Sequence, residues 1–168
     1  LFGADGAATA ALLGRIGVVS ATVDPLYVDP RAPRLAKFGV AVLDAPVSGG
    51  PAKAAAGTMT MMVSGDPSER SRCAAVFAAI AGKVFEVGER PGVASSFKIV
   101  NNLLAAVNLA AGAEAFALAR RVGLDPQQVF DIVCASSGAS WIFEDRMRRA
   151  LANDYAPRAA ARILAKDV

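Results

Sequence analysis

Lys98 and Asn102 are the two residues of this sequence whose types and spacing most clearly indicate chemistry. They lie four positions apart in the run Lys98-Ile99-Val100-Asn101-Asn102, so on a helix both side chains project from one face. A cation and an amide that project together can bind a hydroxyl group and take its proton. An exposed lysine, with a pKa of about 10.4, is a poor base at neutral pH, but burial or a nearby cation lowers that pKa. From the pattern alone, a lysine that reaches solvent from an apolar helix is an equally good interpretation.

The composition strengthens the case for a lysine. The chain contains no histidine, so the commonest general base is absent. Its two cysteines, Cys73 and Cys134, are far apart and lack CxxC spacing, which predicts two buried thiols in a reducing cytoplasm and no metal site. We therefore expect acid–base chemistry to depend on Lys, Asp, Glu, Tyr or Cys, and we expect a cytoplasmic protein.

A glycine-rich segment is the second candidate for chemistry. DAPVSGG at 44–50 follows an apolar run, at the position where open α/β sheets bind ligands. Gly49 and Gly50 allow backbone N–H groups to approach an anion closely, and Ser48 adds a hydroxyl donor. This predicts a site for a carboxylate or a phosphate, although taken alone a simple glycine-rich turn explains the segment as well.

Two further segments carry polar residues for which structure is a sufficient explanation. Ser140, like Asp125 before Pro126, is predicted to cap a helix. Trp141 and Phe143 are predicted to pack in the core or at a domain interface. Lys166 and Asp167, near the last residue, have the pattern of a charged helix face.

The elements that must position these residues change in type along the chain. Helical stretches at 7–13 and 67–80, and one that runs toward Lys37, alternate with apolar runs of strand length at 17–20, 40–43, 59–63 and 83–87. The helix toward Lys37 begins somewhere after Pro25, and Pro30 and Pro33 leave its start undefined. This rhythm predicts a doubly wound α/β domain. Beyond residue 92 only helical spacing is found, at 94–122, 125–135, 140–151 and 157–168. We therefore predict two domains, 1–90 and 91–168, the second of them all-helical.

Charge and hydropathy exclude other classes of protein. The net charge of +3 is spread along the chain, which predicts no nucleic-acid partner. The stretch 99–122 is long enough to cross a bilayer, but it contains asparagines, Glu114 and two arginines, which are costly in lipid. We expect it to be a helix buried within a protein rather than a membrane span.

Taken together, four motifs resemble those of the β-hydroxyacid dehydrogenase family. They are DAPVSGG at 44–50, KxxNN at 98–102, GxSWxFxxR at 138–146 and DYxP at 154–157. Each is weak alone, but their order and spacing are specific, and the resemblance covers essentially the whole chain. It implies the C-terminal part of a Rossmann-type domain followed by a helical domain, with NAD or NADP as cofactor and a small hydroxy acid as substrate. It also implies a homodimer or homotetramer formed through the helical domain.

The resemblance assigns roles to seven residues. Lys98 corresponds to the family's catalytic lysine, and Asn102 to a residue that helps to hold the substrate. Ser48, Gly49 and Gly50 correspond to the site for the substrate carboxylate. The cofactor-binding residues implied by the resemblance are Thr22, near the nicotinamide, and Lys166, which closes over the cofactor.

The sequence also departs from the family pattern. The glycine-rich dinucleotide fingerprint is missing and the chain begins without Met, so we expect a chain truncated at both ends. This leaves an alternative open: a non-catalytic helical dimerisation module, or an inactive fragment of such a dehydrogenase. Ala159 replaces an aromatic residue that often follows DYxP, and this resembles the L-threonate dehydrogenase branch of the family, whose substrates are four-carbon sugar acids.

Overall fold

The computed structural model describes residues 12–157. By the density of contacts, the chain divides into two compact units, with the division between Val100 and Asn101. The predicted helices at 7–13 and 157–168, and Lys166 with them, lie at or beyond the limits of the described residues. The predicted domain boundary near residue 90 lies in the loop before a long helix, and the division into units falls within that helix.

The first unit alternates strands and helices as the sequence predicts. Its strands are β1 (Ile16–Val19), β2 (Ala41–Asp44), β3 (Val47–Ser48), β4 (Met59–Ser64) and β5 (Ala81–Gly88). Its helices are α1 (Pro25–Val28), α2 (Ala32–Ala36), α3 (Gly50–Ala55) and α4 (Pro67–Ile80). A long helix, α5 (Val93–Arg121), begins in this unit.

The five strands form one mixed sheet. The pairs β1–β2 and β4–β5 are parallel, whereas β4 runs antiparallel to both β2 and β3. The α/β class is therefore as predicted, but the sheet is not parallel throughout. The connection from β2 to β4 contains the two-residue strand β3 and the six-residue helix α3. Parallel neighbours normally need a longer crossover with a full helix, so β4 runs antiparallel to β2.

Strand β2 is buried on both of its faces, which explains its continuous apolar sequence. Leu43 packs in a cluster with Met61 and Phe77, whereas Val42 belongs to a second cluster with Val28. Because successive side chains of a strand point to opposite faces, these two clusters fill the two sides of the sheet.

Two short helical regions of this unit are defined by the structure. The helix predicted to run toward Lys37 is present as α1, a 3₁₀ turn (Asp29–Arg31) and α2, because Pro30 and Pro33 interrupt the hydrogen bonds of a continuous helix. The small-residue segment 48–57, which gave no helical signal, contains α3. Its alanines favour a helix once Gly49 and Gly50 have turned the chain.

The second unit is all-helical within the described residues. It contains the remainder of α5, then α6 (Pro126–Cys134) and α7 (Trp141–Leu151). The predicted caps are present: Asp125 Oδ1 accepts from the backbone N–H of Gln128 at 2.8 Å, and Ser140 Oγ accepts from that of Phe143 at 3.1 Å.

The core of the second unit is an aromatic cluster around Phe143. The Phe116 and Phe130 rings lie 5.8 and 6.0 Å from the Phe143 ring, measured between centroids. The core role predicted for Phe143 is confirmed. Trp141 is not in the core; it is the first residue of α7 and is 52% exposed, because a side chain there points away from the packed turns.

Helix α5 is more exposed than its sequence indicates. By length and composition it could cross a membrane, and only 17% of its most apolar 18-residue window is buried. In the second unit α5 packs through one side, and the other side of the helix is exposed. Gly112 lies on the packed side, so close to Phe143 and Met147 that a Cβ atom at Gly112 would be 3.1 Å from the Phe143 ring.

Candidate active site

Lys98 and Asn102 lie one turn apart on α5, and both are buried. Lys98 is 7% exposed and Asn102 is 8% exposed, and each makes polar or ionic interactions. Lysine is one of the residues least often buried in proteins. The low exposure contradicts the interpretation of Lys98 as a surface lysine that extends into solvent, and it shows that water has little access to this side chain.

The amino end of α5 is held by side chains from the ends of two strands. Asp44, the last residue of β2, is fully buried, and its Oδ2 atom accepts from the backbone N–H groups of Gly92 at 3.0 Å and Ser95 at 2.7 Å. Its Oδ1 atom accepts from Ser95 Oγ at 2.8 Å. Ser64, the last residue of β4, accepts through Oγ from the backbone N–H of Ala94 at 3.1 Å.

Gly92 allows the chain to approach α1 closely where it enters α5. Its φ of 96° is one that side chains rarely adopt, and a Cβ atom there would lie 3.0 Å from the Pro25 carbonyl oxygen. The loop before α5 therefore lies against the start of α1, on the same unit as β2 and β4.

Ser48, Gly49 and Gly50 form the turn from β3 into α3. Gly49 has a φ of 137° and Gly50 a φ of 69°, and a Cβ atom at Gly49 would come within 2.7 Å of the Lys53 side chain. Glycine is thus required at Gly49 both by conformation and by space. Consecutive glycines in such conformations direct backbone N–H groups into a concave turn, a geometry suited to an anion.

Thr22 lies in the loop between β1 and α1, half-buried. Strands β1 and β2 are parallel, and Val19 at the end of β1 is in register with Asp44. The loop that carries Thr22 therefore follows the carboxyl end of β1, beside Asp44 at the carboxyl end of β2. Open α/β sheets bind ligands at the carboxyl ends of their strands.

The structure identifies four residues that the sequence did not single out: Asp44, Ser64, Gly92 and Ser95. Asp44 and Ser64 each end an apolar strand with a polar side chain. Gly92 precedes a long helix without offering a side chain that could cap it. A helix without a cap of its own needs hydrogen-bond acceptors from elsewhere in the chain, so these features were the signals that could have predicted the contacts of Asp44 and Ser64 with α5.

No group of three or more Cys, Asp or Glu side chains suited to a metal ion occurs in the stretch 12–157. Burial raises the pKa of the Cys134 thiol, and the negative charge of Glu144 adds to this effect.

Two family models together match almost the whole chain. The model of the NAD-binding domain of 6-phosphogluconate dehydrogenase matches residues 1–88. The model for NAD-binding of NADP-dependent 3-hydroxyisobutyrate dehydrogenase matches residues 92–168. The change from one model to the other falls in the loop before α5.

Relatives over the whole chain give the same result. L-threonate dehydrogenase of Cupriavidus necator is 49% identical over 168 residues, which cover 100% of this chain and 57% of that protein. Two solved structures are also similar. The 3-hydroxyisobutyrate dehydrogenase of Salmonella typhimurium has a TM-score of 0.84 at 41% identity, and Psf3 in complex with NADP+ and 2-OPP has a TM-score of 0.85 at 28% identity. Each match covers 90% of this chain and 53% of the other.

The fold and these matches define a nucleotide-binding α/β protein of the Rossmann type that continues into a helical domain. The chain belongs to the β-hydroxyacid dehydrogenase family. It spans little more than half of the length of the curated relatives that it matches. Because those relatives are named dehydrogenases, the alternative of a non-catalytic dimerisation module is not favoured.

Proposed function

We propose that this chain is part of an NAD(P)-dependent 3-hydroxyacid dehydrogenase in which Lys98 is the general acid and base. The observation that carries the proposal is the burial of Lys98 and Asn102, one turn apart on α5, in a chain of this family. A lysine and an amide held one turn apart and away from water can bind a hydroxyl group and exchange a proton with it.

Each predicted residue has a place in this reaction. In the direction of oxidation, the substrate hydroxyl gives its proton to Lys98 Nζ, the hydrogen on the same carbon leaves as hydride, and a C=O bond forms. In reduction, the Lys98 ammonium returns the proton to the oxygen. The Asn102 amide holds the oxygen in reach of Lys98, and the turn Ser48–Gly50 binds the substrate carboxylate.

The cofactor is NAD or NADP, which supplies the hydride acceptor or donor when it is bound. The sequence lacks the glycine-rich fingerprint. The carboxyl ends of the parallel strands β1 and β2 are nevertheless the part of the sheet where proteins of this fold bind a nicotinamide cofactor. Thr22 would contact the nicotinamide end at that edge. Lys166, which lies outside the described residues, is the second residue proposed to contact the cofactor.

The role of Lys98 is tested by Lys98→Ala in the full-length protein. We expect the kcat to fall by about a hundredfold or more, because a general acid–base contributes about 10²–10⁴ to the rate, while NAD(P)H affinity stays nearly unchanged. Stopped-flow turnover and fluorescence titration of NAD(P)H measure the two quantities. Lys83→Ala, at an exposed lysine of β5, is the matched control and should keep its kcat. A near-normal kcat in Lys98→Ala would disprove the mechanism.

For the substrate, we propose a four-carbon sugar acid such as L-threonate. The relative from Cupriavidus necator is an L-threonate dehydrogenase, and Ala159 in place of an aromatic residue is consistent with a larger pocket. Turnover of L-threonate and 3-hydroxyisobutyrate by the full-length enzyme, with each cofactor in turn, is the test. We expect L-threonate to be preferred; equal rates would remove the support for this assignment.

The proposed protein is cytoplasmic and forms a homodimer or homotetramer through its helical domain. In the second unit, α5 exposes large apolar side chains, namely Leu103, Leu104, Val107 and Leu118. Contiguous exposed apolar surface of this kind is typical of contact surfaces between proteins.

A further inference from the structure

Within residues 12–157, the hydrogen bonds that Asp44 receives come from Gly92, just before α5, and from Ser95 in its first turn. Gly92 N–H, Ser95 N–H and Ser95 Oγ–H all donate to its carboxylate at 2.7–3.0 Å, and both Asp44 and Ser95 are fully buried. A carboxylate is costly to bury, and several donors must compensate for the water that it loses. All three of these bonds hold the start of α5 against the end of β2.

These bonds replace a helix cap that the local sequence does not supply. The backbone N–H groups of the first helical turn have no partner within a helix, and a side chain at the residue before the helix usually accepts from the second or third residue. For α5 the residue before the helix is Gly92, which has no side chain. Ser64 accepts from Ala94, the second residue, and Asp44 accepts from Ser95, the third.

The cap fixes the part of α5 that carries Lys98. Lys98 follows Ser95 by three residues, so the two side chains are neighbours on the surface of the helix, with Lys98 about one turn beyond the bonds to Asp44. All of these residues belong to the first compact unit. A helix is rigid over one turn, so a shift or a rotation of its first turn moves the lysine with it.

We propose that Asp44 is a positioning residue for proton transfer: by holding the first turn of α5 on the ends of β2 and β4, it places Lys98 Nζ against the reacting hydroxyl. This rests on the proposed function, in which Lys98 moves the proton. Displacement of a catalytic group by about 1 Å costs on the order of a hundredfold in rate. Asp44 acts through Lys98 and does not contact the substrate.

The test is a double-mutant cycle in the full-length enzyme, with Asp44→Ala, Lys98→Ala and the double variant. We expect Asp44→Ala to lower the kcat about 10- to 100-fold with little change in the KM for cofactor. In the Lys98→Ala background the same substitution should cost less than about threefold, because its effect passes through Lys98. Equal losses in both backgrounds would overturn the positioning role. Near-normal turnover in Lys98→Ala is a different outcome, and it would overturn the proposed function instead.

Asp44→Asn separates hydrogen bonding from charge. The amide oxygen can accept from both backbone N–H groups, and the amide nitrogen can donate to Ser95 Oγ once that hydroxyl has turned to accept. We expect Asp44→Asn to keep at least about a third of the wild-type kcat. A kcat as low as that of Asp44→Ala would show that the hydrogen bonds to α5 are not what positions Lys98.

Two further variants guard against a trivial loss of folding. Ser95→Ala removes only the bond to Oδ1 and should lower the kcat about 3- to 10-fold, again only when Lys98 is present; it decides the question if Asp44→Ala does not fold. Asp66→Ala is the matched control, since Asp66 caps α4 in the same unit by accepting from Ser68 N–H at 2.8 Å. It should lower the Tm and leave the kcat unchanged. A fall in kcat equal to that of Asp44→Ala would mean that lost stability alone explains both.

Discussion

The Cys134 thiol is a residue whose chemistry is set by its surroundings. Burial is the largest cause that raises the pKa of Cys134, and the negative charge of Glu144 raises it further, while Arg148 acts in the opposite direction. Because only the thiolate reacts readily, a raised pKa keeps this cysteine unreactive at neutral pH. This agrees with a structural thiol and not with a nucleophile.

Alkylation of Cys134 should therefore be slow in the folded protein. At about pH 8 we expect iodoacetamide to modify it at least about tenfold more slowly than after unfolding in concentrated urea, and the folded rate should continue to rise at higher pH. Peptide mapping by mass spectrometry measures both rates. Glu144→Gln should accelerate the folded reaction, because it removes a charge that disfavours the thiolate. Equal rates in the folded and the unfolded protein would contradict the assignment.

At the scale of elements, helix ends explain much of the architecture. Helices α4, α6 and α7 are capped by Asp66, Asp125 and Ser140, the residues just before them. Each cap accepts a hydrogen bond from the backbone N–H two or three residues further on. These are local signals, and the sequence predicted Asp125 and Ser140 as caps. Helix α5, the longest, has no such residue and takes its cap from β2 and β4.

The cap of α7 can be tested by Ser140→Ala. Loss of the bond from Phe143 N–H to Ser140 Oγ should lower the free energy of unfolding by about 1 kcal/mol, the usual contribution of such a cap. Urea unfolding followed by the fluorescence of Trp141, the single tryptophan of this chain, reports on this helix directly. Ser140→Thr keeps an acceptor oxygen and should recover most of the loss. If Thr were as destabilising as Ala, the hydrogen bond would not be the cause.

At the scale of the whole molecule, the proposed oligomer depends on the exposed apolar side of α5. Within the second unit, Leu104 and Val107 are more than half exposed, and a helix of this length and hydropathy also satisfies the criteria for a membrane span. Polar residues on the same helix, among them Lys98, Asn102 and Glu114, favour a protein partner over lipid.

We expect the full-length protein to be extracted without detergent and to elute as a dimer or a tetramer in size-exclusion chromatography with light scattering. Leu104→Glu should shift that mass towards the monomer, because a charge is costly within an apolar contact. Lys83→Glu, on an exposed strand of the first unit, should leave the mass unchanged. A monomeric wild-type protein, or one that requires detergent, would contradict the proposed oligomer.

The sequence by itself determined the features that depend on neighbouring residues. It predicted the full extent of α4, the alternation of strands and helices, and the spacing that places Lys98 and Asn102 on one face of a helix. It did not predict the short helix α3, and it left open where the helix before Lys37 begins, because of Pro30 and Pro33. The features that it predicted depend on residues within one or two turns of each other along the chain.

Only the tertiary structure decided that Lys98 is buried and that Asp44 and Ser64 hold its helix. Asp44 is 48 and 51 residues away from the two backbone groups that it binds, and Ser64 is 30 residues away from its own partner. Nothing in the local sequence of either strand specifies such a partner. The pattern of residues made Lys98 the candidate. The packing of the ends of β2 and β4 against the first turn of α5 determined where that lysine is held.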